Sequence, residues 1–172
     1  MPGDISKHTK YIAELPYPEA KVEGENVFYA NLLLEDYAGM VSELTAINLY
    51  IYQHVTSEGK YEDFAELIGG IAMAEMKHLE LLGETIKLLG VKPVYINSTC
   101  PFGKLWTARY VNFTIVIKAM IAEAIRSEKK AINQYKHHII LIKDKFIKEL
   151  INRIIMDEEI HLKLLEEIYE KY

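Results

Sequence analysis

Apolar residues recur at three- and four-residue intervals through four long stretches of the chain, the period of helices with one buried face. In the first, Leu33, Met40, Leu44, Ile47 and Ile51 predict a helix over about 26–56, stopped by Ser57-Glu58-Gly59. The second covers roughly 61–89, with Phe64, Leu67, Ile68, Ile71, Leu79, Leu82 and Ile86 inward and Gly90 as its stop before Pro93. The third begins between 104 and 110 and ends around 142. Asp144 caps the fourth, which runs to the end of the chain with Ile147, Ile151, Ile154, Leu162 and Leu165 inward.

Short links after the first and third helices make each pair antiparallel, and the stretch 91–105, with Pro93, Pro101 and Gly103, is long enough to cross the bundle extended. The predicted fold is all-α: a four-helix bundle over 25–172, with a long crossover between helices 2 and 3. Residues 1–24, with Pro16, Pro18 and Gly24, read as an extended arm over the bundle or over a neighbouring subunit, with no chemistry assigned to it.

The helices carry an internal repeat. Ser42-Glu43-Leu44-Thr45-Ala46-Ile47-Asn48-Leu49-Tyr50 matches Ser127-Glu128-Lys129-Lys130-Ala131-Ile132-Asn133-Gln134-Tyr135 at six positions, and each copy is followed some 30 residues later by Glu-x-x-His, Glu75 to His78 and Glu158 to His161. Between 66–84 and 149–167, 11 of 19 positions are identical, too many for chance. A duplicated helix pair therefore supplies four carboxylates and two imidazoles at matching depths, the ligand inventory of a two-metal site in a helical bundle.

Glu43 shares a helix stripe with Asp36, Met40, Ile47 and Tyr50, so its carboxylate points inward, and Glu128 repeats this among Ile121, Ala131, Ile132 and Tyr135. Bare carboxylates there would be costly. Four ionised Glu balance two divalent cations, and no Lys or Arg lies on these stripes to do it instead. The expected metal ligands are Glu43, Glu75, His78, Glu128, Glu158 and His161, with Glu75 and Glu158 as bridging carboxylates. Carboxylate oxygens with neutral imidazoles suit two iron or manganese ions per chain. Tyr50 and Tyr135, seven residues after a ligand Glu, are candidates to hydrogen-bond ligand carboxylates or a bound oxygen species. Glu123 is a rival to Glu128 but faces about 140° away on the helix. Met76 reads as a packing residue, His54 as a helix-end histidine, His137 and His138 as solvated residues near a helix C-terminus, and Asp157 and Glu159 as pointing away from the metals.

Composition narrows the function. Twenty basic against 25 acidic side chains leave a net charge of -5, without the basic footprint of a nucleic-acid binder. The first eight residues carry no apolar signal core, and the apolar stretch 113–125 is interrupted by Lys118 and Glu123, so neither export nor a membrane span is expected and the predicted location is cytoplasmic. The lone Cys100 makes neither an internal disulfide nor a four-thiolate iron site.

From residue 25 onward the chain resembles the ferritin-like superfamily of dimetal carboxylate proteins. Tyr37-Ala38-Gly39, then Ser42-Glu43-Leu44-Thr45-Ala46, Tyr50 and Gln53, then Glu75-Met76-Lys77-His78-Leu79-Glu80, Gly83 and Ile86, are similar to the manganese catalases and their spore-coat relatives; rubrerythrins are the other close branch. Two positions depart. A rubrerythrin has a second Glu where Ala131 stands and a C-terminal rubredoxin, and a manganese catalase has Arg directly before the third-helix Glu, where this chain has Ser127. Met76 follows Glu75 as the haem-ligating Met does in bacterioferritins. The resemblance implies an oxidoreductase acting on hydrogen peroxide or dioxygen, catalase-like or, with an external electron donor, rubrerythrin-like, in a homo-oligomer of two or more chains. A ferroxidase for iron storage, a metal-stabilised structural subunit and an oxygenase component are the alternatives.

Overall fold

The computed structural model describes residues 9–172, so the first eight residues of the expected arm, on which the reading of no signal segment rests, lie outside the described residues. Five α-helices follow in order: α1 (Val27–Ala38), α2 (Glu43–Ser57), α3 (Glu62–Leu88), α4 (Ile117–Leu141) and α5 (Lys145–Lys171). α2 packs along α3 and α4 along α5, and the two pairs meet through α2 with α4 and α3 with α5. α1 lies against α3 as α2 does, so α1 and α2 together occupy the place of one bundle helix.

The single helix expected over 26–56 is therefore broken. At Gly39 a Cβ would lie 2.5 Å from the Glu35 carbonyl oxygen, so the chain turns tightly there. The freed Gly39 carbonyl accepts from the hydroxyls of Ser42 (2.8 Å) and Thr45 (3.0 Å), while Ser42 Oγ caps α2 by accepting from the Thr45 amide. The break resets the helical phase. Met40 (63 % exposed) and Ile51 (40 % exposed), both expected inward, face out, and Ala46, Leu49, Tyr50 and Gln53 form the buried face of α2 instead.

The third helix also starts later than its apolar pattern suggests. Only a short 3-10 turn, Ala108–Tyr110, forms near the expected start, and the backbone then stays non-helical through the β-branched run Thr114-Ile115-Val116 before α4 begins. The crossover is correspondingly longer and folds back on itself rather than running straight: Ile96 pairs with Leu105 in an antiparallel bridge, and the Trp106 amide donates to the Tyr95 carbonyl at 2.8 Å. Trp106 Nε1 then donates to Thr45 Oγ1 (3.0 Å), pinning the crossover to the start of α2. At the ends of α3 and α5 the sequence signals hold: Gly90 is left-handed (φ 87) beyond α3, and Asp144 Oδ1 accepts from the Phe146 and Ile147 amides to begin α5.

The bundle interior is not uniform. One apolar cluster joins α1, the C-terminal half of α3 and the first half of α5; a second joins α2, the first half of α3, the start of α4 and Leu165. Between them lies a fully buried layer of Glu43, Glu75, His78, Glu128, Glu158 and His161.

A second buried polar pair ties α1 to α4. His138 Nδ1 lies 2.8 Å from Asp36 Oδ2, and Asp36 Oδ1 accepts from Gln134 Nε2 at 2.7 Å. His138 is thus buried, not solvated as its position near a helix end suggests, whereas His137 is exposed. Burial works against the imidazolium, yet the bond to Asp36 and the charges of Asp36 and Glu35 carry the His138 pKa above its ordinary value. His138→Ala, which strands the Asp36 carboxylate, is expected to cost about 3 kcal/mol of unfolding free energy in urea denaturation, and His137→Ala less than about 0.5 kcal/mol.

Candidate metal centre

The helix break decides how the layer is assembled. Because α2 restarts at Ser42, Glu43 occupies its first turn, where unpaired amides and the helix dipole favour a negative charge. Glu128 has no such end; it sits in the middle of α4. Glu75 and His78 face inward from α3, and Glu158 and His161 from α5, each pair one helical turn apart.

The six side chains converge as two overlapping groups, Glu43, Glu75, His78 and Glu158, and Glu75, Glu128, Glu158 and His161, with one candidate ligand atom from each residue of a group within 4.8 Å of the others. Glu75 and Glu158 belong to both. His78 Nδ1 lies 2.9 Å from Glu75 Oε2 and 3.2 Å from Glu158 Oε1; His161 Nδ1 lies 3.2 Å from Glu75 Oε1 and 3.5 Å from Glu158 Oε2. Each imidazole thus faces both shared carboxylates, and the two rings stack with centroids 6.1 Å apart.

Four carboxylates this close cannot all be ionised without compensation. Burial pushes Glu43 well above the usual carboxylate range, helped by the charges of Glu75 and Glu158, and pushes Glu128 up to about 8, helped by Glu158. Both imidazoles are raised well above their ordinary value: burial opposes this, but the carboxylates around them prevail. In the protein alone the layer therefore approaches neutrality by holding protons. Several of its atoms nevertheless have no hydrogen-bond partner: Glu75 Oε1, Glu128 Oε2, Glu158 Oε1 and His161 Nδ1. Buried lone pairs aimed at one another are what a cation satisfies, and the donor set of four carboxylates and two imidazoles fits two divalent transition-metal ions.

Both tyrosines reach the layer, each crossing to the opposite repeat. Tyr50 Oη donates to Glu128 Oε1 and Tyr135 Oη to Glu43 Oε1. Burial, with these carboxylates alongside, raises both phenols well above their usual pKa, so each hydroxyl keeps its proton.

The outer nitrogens of the imidazoles meet residues with no expected role. Asp157 points away from the layer but is buried behind it: its Oδ2 lies 3.0 Å from His78 Nε2. Burial would raise its pKa, but bonds from His78, Tyr17 and the Ala13 amide hold it down at about 2. Its other oxygen takes Arg153 Nη1 at 2.5 Å. His161 Nε2 donates to the Tyr11 carbonyl at 2.9 Å. Tyr11, Ala13 and Tyr17 belong to the arm, so this segment does carry chemistry. The one sequence signal was Arg153 and Asp157, opposite charges four residues apart on either side of inward Ile154; a backbone carbonyl such as that of Tyr11 leaves no signal.

The remaining candidates lie outside the layer. Glu123 pairs with Arg126 at 2.9 Å and accepts from Asn112, away from the centre, which leaves Ser127 and Ala131 lining a pocket that opens on the carboxylates. Glu159 reaches Lys136 (3.0 Å), and His54 Nδ1 bonds the Ala65 carbonyl (2.8 Å). Met76, read as a packing residue, is 44 % exposed.

Known proteins resemble this chain in sequence and in fold. Residues 7–93 match the family described as manganese containing catalase, and a probable manganese catalase of Clostridium acetobutylicum is 31% identical over 186 residues, spanning 96% of this chain and 80% of that one. The chain belongs to the manganese-containing catalase family. The crystal structure of a manganese catalase from Anabaena superposes with a TM-score of 0.83 at 22% identity, covering 92% of this chain and 78% of that one. A bacterioferritin from Mycobacterium tuberculosis superposes at 0.70 with 23% identity, covering 86% and 89%. The fold is thus the ferritin-like four-helix bundle. The family match ends at residue 93 and so contains Glu43, Glu75 and His78; the internal repeat places Glu128, Glu158 and His161 beside them.

Metal analysis of the purified chain is expected to show two ions, with Glu128→Ala losing the pair and Glu123→Ala keeping it. Since binding must displace protons from Glu43, Glu128 and the imidazoles, calorimetry in buffers of different ionisation enthalpy should show proton release, and affinity should fall as pH is lowered.

Proposed function

We propose that this chain dismutates hydrogen peroxide to dioxygen and water at a pair of manganese ions. Glu43 and His78 would hold one ion, Glu128 and His161 the other, and Glu75 and Glu158 both. The observation that carries the reading is the pair of shared carboxylates buried inside the bundle, in a chain of the manganese-containing catalase family.

The bound metals would supply two-electron redox chemistry and a Lewis-acid site for an oxygen ligand. The protein's own contribution is legible in its residues. The pocket leading to the layer is bounded by Val41, Ser42, Ala46, Ser127, Ala131 and Gln134, with room for little more than one water molecule. Small side chains there admit a peroxide-sized molecule and exclude larger substrates. Among the described residues, neither Arg126, turned to Glu123, nor any other cation lines this pocket. Oxidation of one peroxide releases two protons that reduction of a second consumes, so the site needs groups that hold protons between the two halves. Glu75 and Glu158, the carboxylates shared by both ligand groups, would take this part. Tyr50 and Tyr135 fix the outer carboxylates, keeping Glu128 and Glu43 from swinging into the pocket.

Dismutation needs no partner to deliver electrons. The alternative within the same fold is a di-iron centre that reduces peroxide with an external donor or oxidises ferrous iron for storage. Among the described residues no helix is long and apolar enough to cross a membrane, in keeping with a cytoplasmic enzyme. Manganese-loaded protein is expected to release one dioxygen per two peroxides without added reductant, read with an oxygen electrode. Turnover only with a reducing partner would assign a rubrerythrin-like peroxidase. Rapid oxidation of many ferrous equivalents per chain, with a mineral product, would assign storage.

A further inference from the structure

The arm residues 11–17 touch the metal layer from the side opposite the pocket mouth, and their contacts are unusually selective. Tyr11 is the one fully buried residue of this segment; Leu15 is 55 % exposed, and the stretch 12–17 buries no side chain completely. Apolar burial in docking is therefore concentrated in the Tyr11 ring, which belongs to the second apolar cluster. What holds the rest of the segment is polar. The Ala13 amide donates to Asp157 Oδ1 at 2.7 Å, Tyr17 Oη donates to Asp157 Oδ2 at 2.5 Å, and Arg153 donates to the carbonyls of Ala13 (2.9 Å) and Leu15 while lying 4.1 Å from the centre of the Tyr17 ring. Two further bonds involve Tyr11: its carbonyl accepts from His161 Nε2, and its hydroxyl donates to the Glu66 carbonyl at 3.4 Å.

Two of these acceptors decide a tautomer. A carbonyl oxygen can only accept, so Tyr11 requires a proton on His161 Nε2. Asp157, paired with Arg153, offers His78 Nε2 a carboxylate oxygen and asks the same of it, with Tyr17 Oη 3.3 Å from that nitrogen. In the neutral ring the lone pair is then left on Nδ1, the atom that faces the carboxylates in both histidines. A metal ion bound at Nδ1 selects that same form and makes the Nε2 proton a stronger donor.

We propose that residues 11–17 are a clasp on both imidazoles, and that docking of this segment and metal binding are thermodynamically linked. The inference rests on the reading of His78 and His161 as metal ligands. Tyr11 and Tyr17 are positioning residues, and Asp157 with Arg153 forms the plate they close upon. Linkage is reciprocal: whatever factor the docked arm adds to metal affinity, the bound metal adds to docking.

The test uses the full chain with manganese(II) alone as the probe. Hydrogen exchange at the Ala13 amide reports docking, and chelator competition reports affinity. Metal loading is expected to slow Ala13 exchange by about tenfold or more, and Tyr17→Phe to weaken manganese binding by about tenfold, the scale of a lost partner of a metal-bound histidine. Gly70→Ala supplies a variant that touches no ligand and none of these polar groups. A Cβ at this position of α3 would lie 2.0 Å from Tyr11 Cε2 and must displace the ring, while Ala favours the helix over Gly. It should weaken manganese binding comparably and abolish the metal-dependent protection of Ala13. Gly24→Ala, with nothing within 4 Å of the added Cβ, should change neither quantity. Uptake of two manganese ions with Ala13 exchange independent of metal, and Gly70→Ala binding as tightly as the parent, would overturn the clasp and leave the metal centre standing. Failure to take up manganese at all overturns both. Tight binding with linked docking but no peroxide turnover upholds the clasp and removes only the catalase reading.

Discussion

Four carboxylates buried in one layer of a helical bundle are the constraint on which the rest of this structure depends. Their mutual repulsion and their removal from water both oppose folding, and the layer stands between two apolar clusters that offer nothing to neutralise it. Protons on Glu43, Glu128 and the imidazoles offset the charge in the protein alone, but oxygens of Glu75, Glu128 and Glu158 still lack hydrogen-bond partners. Two divalent cations would satisfy charge and lone pairs together. The conflict that weakens the bundle is therefore the one that selects its ligand.

The layer has two unlike sides. Toward the pocket, Glu43 and Glu128 are each held by a tyrosine from the opposite repeat, and the small residues Ala46, Ser127 and Ala131 leave a narrow way in. On the other side the imidazoles turn their outer nitrogens to Asp157, Tyr17 and the Tyr11 carbonyl, and the arm covers them. Chemistry that exchanges small molecules belongs on the first side, where the carboxylates are. Control of ligand tautomer and orientation belongs on the second, where a water molecule in place of the arm could donate or accept and would fix neither.

The duplication also ends short of symmetry. Glu43 begins a helix and Glu128 interrupts none, because Gly39 and Ser42 break the first bundle helix while Arg126 and Ser127 continue the third. The local field at the two outer carboxylates thus differs even though the residues around them repeat. A second buried pair, Asp36 with His138, fastens the detached α1 to α4, so the break does not loosen the bundle on the pocket side.

The sequence by itself determined the helical class, the antiparallel pairing and the six residues that meet in the layer. Each of these follows from spacing along a single helix or from matching positions in a repeat, and those are local quantities. It also showed that Glu123 faces away, since an angle on one helix settles that. Only the tertiary structure decided what depends on contacts between segments far apart in the chain. The crossing of Tyr50 to Glu128 and Tyr135 to Glu43 needs α2 and α4 side by side; from spacing alone each tyrosine belongs to its own repeat. Helical periodicity carries smoothly across Gly39 to Ser42, so the break became visible only where the Gly39 carbonyl found the hydroxyls of Ser42 and Thr45. His138 was misplaced, and the contact of Asp157 with His78 was missed, because the partners of a buried charged residue are not local: Asp36 for the first, Tyr17 and Ala13 for the second, lie about a hundred residues or more away. The Tyr11 carbonyl is the limiting case: every residue has one, and only the folded chain brings this one to His161.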